Sequence, residues 1–198
     1  MEHIISRHFS PRSRILESYF TEKELTEVFD YFEKSISDIS KEFGARTDIR
    51  SSLVLYDQHS RNFFVDPKTG KPTGFFDLEY AQSAHPNLEL GCMGVQLFGF
   101  FSGECVPAAR EAFFSGYYAN GGSRAIEHPA LEAIHASNHL FSAVKSYHGK
   151  KDGIRDGWSQ EFAKMVLSIV REGEVKVSCY DAFTNLIRPV TKQPVKPN

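Results

Sequence analysis

The chain has 198 residues, with 23 Lys and Arg against 25 Asp and Glu, and a formal charge of −2 when its histidines are neutral. That balance excludes a nucleic-acid clamp, which carries a marked basic excess. A content of 41% apolar and 24% charged residues excludes disordered, collagen-like and coiled-coil classes. A chain of this length forms one domain by default and buries roughly 70% of the surface its unfolded form exposes.

The cysteines Cys92, Cys105 and Cys179 are odd in number and lack C-x-x-C spacing, which predicts a reduced, cytoplasmic setting. The first twenty residues have charges and a proline where a signal peptide needs a continuous apolar core. The most apolar stretch, Leu88 to Phe101, contains glycines and is too short to cross a bilayer. Neither a nucleic acid nor a membrane is therefore an expected partner.

In chain order, the first clear element is a helix starting after Thr21, whose hydroxyl can cap it while Glu24 completes a capping box. Leu25, Val28, Phe29, Phe32, Ile36, Ile39 and Phe43 recur at steps of three and four as one apolar stripe, and Gly44 supplies the stop. From Leu53 the pattern changes to short apolar runs, Leu53-Val54-Leu55 and Phe63-Phe64-Val65, separated by the polar stretch Tyr56 to Asn62. Asp66-Pro67-Lys68-Thr69-Gly70-Lys71-Pro72 is a dense turn signal, followed by Gly74, Phe75 and Phe76. Two short strands joined by a turn are predicted.

Helical spacing returns beyond Asn87 and continues through Phe101. Pro107 to Tyr118 reads as a helix with proline in its first turn and Asn120-Gly121-Gly122 as its stop. Pro129 to His148 and Trp158 to Arg171 add two more, the second with Trp158, Phe162, Met165, Val166, Ile169 and Val170 on one side. The expected class is α+β and mainly helical. One domain is expected over residues 1–187, with a Pro-rich basic tail, 188–198, that frays.

Polar residues concentrate around the hairpin. Asp57, His59, Arg61 and Asn62 precede its first strand, and Asp77 and Glu79 follow its second. Paired strands set the residue entering the first beside the residue leaving the second, so Asp57, Asn62 and Asp77 can converge at one end. Two carboxylates and an amide oxygen suit a hard cation such as Mg²⁺, which completes its octahedron with water and substrate phosphates. The plainer reading is that all three are turn residues, since Asp and Asn are favoured where strands begin and end.

Three pieces stand in order: Leu53 to Asp66 with Asp57 and Asn62 five apart, then Gly74-Phe75-Phe76-Asp77-Leu78-Glu79, then His85-Pro86-Asn87-Leu88-Glu89-Leu90. Together they resemble the catalytic core of the aminoglycoside phosphotransferase and choline kinase family, which shares the protein-kinase-like fold. The resemblance implies that Asp57 positions the acceptor hydroxyl and takes up its proton. It implies also that Asn62 and Asp77 hold Mg²⁺ on the phosphates of ATP. Glu79 matches an acidic position after the metal aspartate, and Glu89 matches the acid of a later Asp-Leu pair. His59 reads as a hydrogen-bond partner within the loop rather than as a catalytic base.

Where the family writes His-Gly-Asp, this chain has Leu55-Tyr56-Asp57. The residues before Asp57 read as helical and hold no glycine-rich loop ahead of a strand lysine. The resemblance therefore covers a kinase-like C-terminal lobe, without the N-terminal nucleotide lobe. Two functions stay open. One is an ATP-dependent, Mg²⁺-assisted O-phosphotransferase acting on a small-molecule hydroxyl, with a separate N-lobe polypeptide or a homodimer supplying the nucleotide lobe. The other is a degenerate, inactive kinase-like binding or regulatory module. A lobe stripped of its other half exposes apolar surface, which predicts self-association.

His135 and His139 lie four apart on one helical face but lack a third ligand at a telling offset, so a hydrated helix surface is expected rather than a zinc site. Phe98, Phe100, Phe101, Phe113, Phe114, Tyr117 and Tyr118 form an aromatic cluster that reads as helical core. Glu104, Glu111, Glu127 and Glu132 fall where this family binds its acceptor, and acids there would attract a cationic substrate.

Overall fold

The structure, a computed structural model, describes residues 16–45, 51–55, 62–79, 81–91, 93–96, 101–123, 128–150 and 153–187. Helix α1 (Glu22–Ala45) begins as its capping box dictates. The Glu24 carboxylate accepts from the Thr21 N–H and hydroxyl, each at 3.0 Å, and Thr21 Oγ1 accepts from the Glu24 N–H at 3.3 Å. Its stripe enters the core: Val28, Phe32 and Ile39 are fully buried and Leu25 nearly so, each contributing about 1.5–3 kcal/mol by burial. The helix runs one residue past Gly44, a shift within the ordinary fraying of helix ends.

Among the described residues four strands follow: β1 (Ser52–Val54), β2 (Phe63–Val65), β3 (Pro72–Phe75) and β4 (Gln82–Ala84). They form two separate antiparallel pairs, β1 with β4 and β2 with β3. The second pair is the expected hairpin, with Phe63 opposite Phe75, Phe64 opposite Gly74 and Val65 opposite Pro72, and a bulge between Phe64 and Val65. Asp66 builds its turn: Oδ1 accepts the Lys68 and Thr69 N–H at 2.7 and 3.3 Å, and the carbonyl accepts the Gly70 N–H at 2.8 Å. Gly70 supplies the left-handed φ of +68° that closes the turn. These backbone bonds hold the Asp66 carboxyl below its ordinary range.

The β1–β4 pair sets Ser52 opposite Ala84 and Val54 opposite Gln82. It lies outside the sequence expectation because Gln82-Ser83-Ala84 has no β-branched or aromatic residue to mark a strand; the pairing is set by closure of the chain around the hairpin. The helical spacing beyond Asn87 resolves into two single turns, α2 (Asn87–Leu90) and α3 (Met93–Gln96), with Gly91 between them. A 3-10 turn (Gly103–Cys105) leads into α4 (Val106–Ala119), which carries proline in its first turn.

Helices α5 (Pro129–Lys150) and α6 (Gly153–Glu172) are the principal packing pair. Ala133, Ala136 and Leu140 of α5 gather with Phe162, Met165, Val166 and Ile169 of α6 and with Val28 and Phe32 of α1 in the main core. An unanticipated helix, α7 (Val177–Ile187), closes the fold. It packs through Cys179 and Tyr180, which enter the core, and is fixed by two polar bonds: Asp181 Oδ1 accepts the Gly103 N–H at 2.6 Å, and Thr184 Oγ1 donates to the Phe101 carbonyl at 2.8 Å. The protein is thus mainly helical with small antiparallel sheets. Among the described residues no helix is long and apolar enough to cross a membrane. The expected tail, 188–198, lies outside the described residues.

Candidate functional site

Asn62 immediately precedes β2, and Asp77 follows β3 by two residues. The Phe76 N–H donates to the Asn62 carbonyl at 3.0 Å, one rung beyond the Phe63–Phe75 pair. Strand pairing therefore brings Asn62 and Asp77 to the open end of the hairpin. Asn62 is buried, whereas Asp77 is exposed. Asp77 has a φ of +63°, the one non-glycine residue with positive φ among those described. An aspartate tolerates that conformation better than most residues, and it is an uncommon one that repays a functional question.

Glu89, in α2, is half-buried, and its Oε2 accepts the Leu55 N–H at 3.3 Å. Helix α2 thereby holds the chain just beyond β1, two residues before Asp57. Asp57 and His59 themselves lie outside the described residues, and Glu79 is exposed. The structure thus brings together Asn62 and Asp77, ties Glu89 to the segment leading to Asp57, and leaves Glu79 at the surface.

An amide oxygen and a carboxylate at one hairpin end, the carboxylate open to solvent, are hard donors of the kind Mg²⁺ accepts beside water and phosphate oxygens. Among the described residues no three His, Cys, Asp or Glu side chains cluster as a metal site. Of the expected donors, Asn62 and Asp77 are the two that fall within the described residues.

Other expectations change. Glu132 is not an acceptor-facing acid: its carboxylate accepts the Gly94 N–H at 2.8 Å and the Val95 N–H at 2.9 Å, and pairs with Arg110 Nη1 at 3.2 Å. A Cβ at Gly94 would collide with that carboxylate, so the close approach requires glycine. Burial pushes the Glu132 carboxyl up, and the Arg110 charge only partly offsets it. Tyr180 is pushed up by burial and by the Glu132 charge. No local signal announces this group, because its members are 22 to 38 residues apart. Glu104 and Glu111 are exposed, and Glu127 lies outside the described residues.

The histidine pair is also corrected. Rather than facing water, His135 is buried, its Nε2 lies 2.8 Å from that of His139, and the His139 ring stacks on Phe162. Burial holds the His135 imidazole well below its ordinary pKa, with the His139 charge acting in the same direction. Packing of α5 on α6 decides this, since that helix face meets a neighbour. Of the aromatic cluster, Phe114 is buried and Phe113 packs beside it, while Phe101 and Tyr118 are exposed. Phe98 and Phe100 lie outside the described residues.

Comparison with protein families, with curated proteins and with solved structures finds no match to this chain.

Proposed function

We propose that this chain is a kinase-like C-terminal lobe of the aminoglycoside phosphotransferase and choline kinase type, an ATP-dependent O-phosphotransferase acting on a small-molecule hydroxyl. The observation that supports it is the Phe76–Asn62 backbone bond, which sets Asn62 and, next to Phe76, Asp77 at one end of the hairpin. Asn62 and Asp77 would hold Mg²⁺, which when bound offsets the charge of the nucleotide phosphates. Asp57, five residues before Asn62 in the sequence, orients the acceptor hydroxyl. As that oxygen bonds to the terminal phosphorus and the bond to the ADP oxygen breaks, the hydroxyl proton passes to the Asp57 carboxylate. Glu89 holds the approach to Asp57 through Leu55, with His59 and Glu79 in supporting places. Such chemistry asks for positioning and charge neutralisation rather than covalent help.

The test is transfer of phosphate from Mg²⁺-ATP to a panel of hydroxyl acceptors. Asp57→Asn lowers turnover on the order of 10²-fold or more, as loss of a general base does, with nucleotide affinity unchanged. Asp77→Asn loses nucleotide affinity itself. Equal loss of both quantities in both variants contradicts these roles. A second reading, a non-catalytic binding module, is favoured by Leu55-Tyr56 standing where the family has His-Gly. It predicts retained nucleotide binding and no transfer to any acceptor.

A further inference from the structure

The β2–β3 hairpin carries an unusual amount of exposed apolar surface. Phe64 is 57% exposed, Val65 50%, Phe75 48% and Phe76 43%, with Leu78 beyond them at 46%. The register puts Phe64 and Phe76 on one face, their ring centroids 5.0 Å apart, and Phe75 on the other. Among the described residues the two strands belong to no larger sheet and pack chiefly on each other. A two-stranded ribbon of this kind is marginal in water and gains stability by being covered. With an aromatic side chain presenting about 150–250 Å², the face shared by Phe64 and Phe76 exposes roughly 200 Å² of ring per copy.

The arm is also electrically polar along its length. Its tip carries Lys68 and Lys71, while the Asp66 carboxylate there is folded back onto the Lys68 and Thr69 N–H groups. Among the described residues, its root carries the exposed acids Asp77 and Glu79. Each strand spans about 10–13 Å at its rise per residue. Two arms laid antiparallel about a two-fold axis would therefore set the basic tip of each against the acidic root of the other. A self-complementary patch is what such symmetry requires.

We infer that the β2–β3 arm is the interface of a homodimer in which two arms lie antiparallel, and that the Lys68 and Lys71 ammonium groups of one copy reach the phosphates bound at Asn62 and Asp77 of the other. The second clause rests on the phosphotransferase reading; the first does not. The chain then provides in trans a cationic partner for phosphate.

Sedimentation equilibrium of the full chain gives twice the 22.4 kDa monomer mass. Phe64→Glu, on an exposed side chain and retaining wild-type helicity by circular dichroism, returns it to one chain mass, whereas Phe75→Glu on the opposite face leaves the dimer intact. A monomeric wild type, or a Phe64→Glu variant that still dimerises, overturns the inference. Mg²⁺-ATP titration separates the two clauses. Lys68→Ala/Lys71→Ala and Asp77→Asn chains each fail to bind alone, whereas an equal mixture after subunit exchange regains about a quarter of the wild-type sites, as random pairing of two defective copies across a two-fold dictates. A wild type that binds Mg²⁺-ATP, with a mixture that recovers nothing, overturns the lysine assignment. A dimer broken by Phe64→Glu whose wild type binds no Mg²⁺-ATP supports the arm interface and overturns the nucleotide reading instead.

Discussion

The Glu89 carboxylate accepts the Leu55 N–H at 3.3 Å across 34 residues of chain. That bond links α2 to the end of β1, two residues before Asp57 in the sequence. Removing it frees the segment that carries the proposed base. A misplacement of about 1 Å costs on the order of 10²-fold in an oriented reaction, so Glu89→Ala lowers kcat by roughly 10–100-fold while nucleotide KM stays constant. Glu89→Gln keeps an acceptor oxygen and restores most of the rate. A purely structural role instead lowers thermal stability and kcat together, with no rescue by glutamine.

The group around Glu132 acts on stability. Glu132→Ala strands the Gly94 and Val95 N–H groups and leaves Arg110 without its carboxylate. Breaking a buried pair from one side costs about 3–5 kcal/mol, which urea denaturation reads as a fall in midpoint at unchanged slope. Glu132→Gln keeps the acceptor for one N–H and loses less.

His135 makes the fold acid-sensitive. Its imidazole is held well below the ordinary value of 6.5 by burial and by the His139 charge. Below about pH 6.5 the unfolded chain therefore binds a proton that the folded one refuses. The contribution is full above that pH and declines as pH falls, by up to about 1.4 kcal/mol per unit. Glu161 and Lys164 on the facing helix form their own ion pair. Urea midpoints from pH 7.5 to 5.5 measure the slope, and His135→Leu flattens it; an equal slope in both proteins assigns the sensitivity elsewhere.

Asp77 separates function from stability. Its φ of +63° costs a residue with a Cβ about 1 kcal/mol or more. Asp77→Gly relieves that strain and leaves the unfolding midpoint equal or higher, while Mg²⁺-dependent nucleotide binding is lost. Asp77→Val lowers both. Retained binding in the glycine variant removes Asp77 from the metal site.

The features read correctly from the residues are those decided within a few positions. The Thr21–Glu24 box, the Asp66 turn and the Asn120-Gly121 stop are local chemistry, and the capping bonds and hairpin register follow from them. What escaped is decided at long range. Gln82-Ser83-Ala84 becomes a strand only by meeting β1, and Glu132 becomes a cap only by meeting α3. His135 becomes a buried group only because α6 covers its face. Helix α7 buries Cys179, Tyr180 and Thr184, and the bonds that fix it reach Gly103 and Phe101, 78 and 83 residues away. Of the site itself, strand pairing accounts for Asn62 and Asp77 sharing one hairpin end, Asp57 lies outside the described residues, and the Glu89–Leu55 bond had no local signature.

The claim that Asn62 and Asp77 hold a metal on nucleotide phosphates is tested most directly by paramagnetic broadening. Mn²⁺, substituted for Mg²⁺ and titrated with ATP into isotope-labelled protein, should broaden the amide resonances of Asn62, Phe76 and Asp77 before those of the helices, and Asp77→Asn should abolish the effect. Broadening centred elsewhere, or unaltered by Asp77→Asn, contradicts the account.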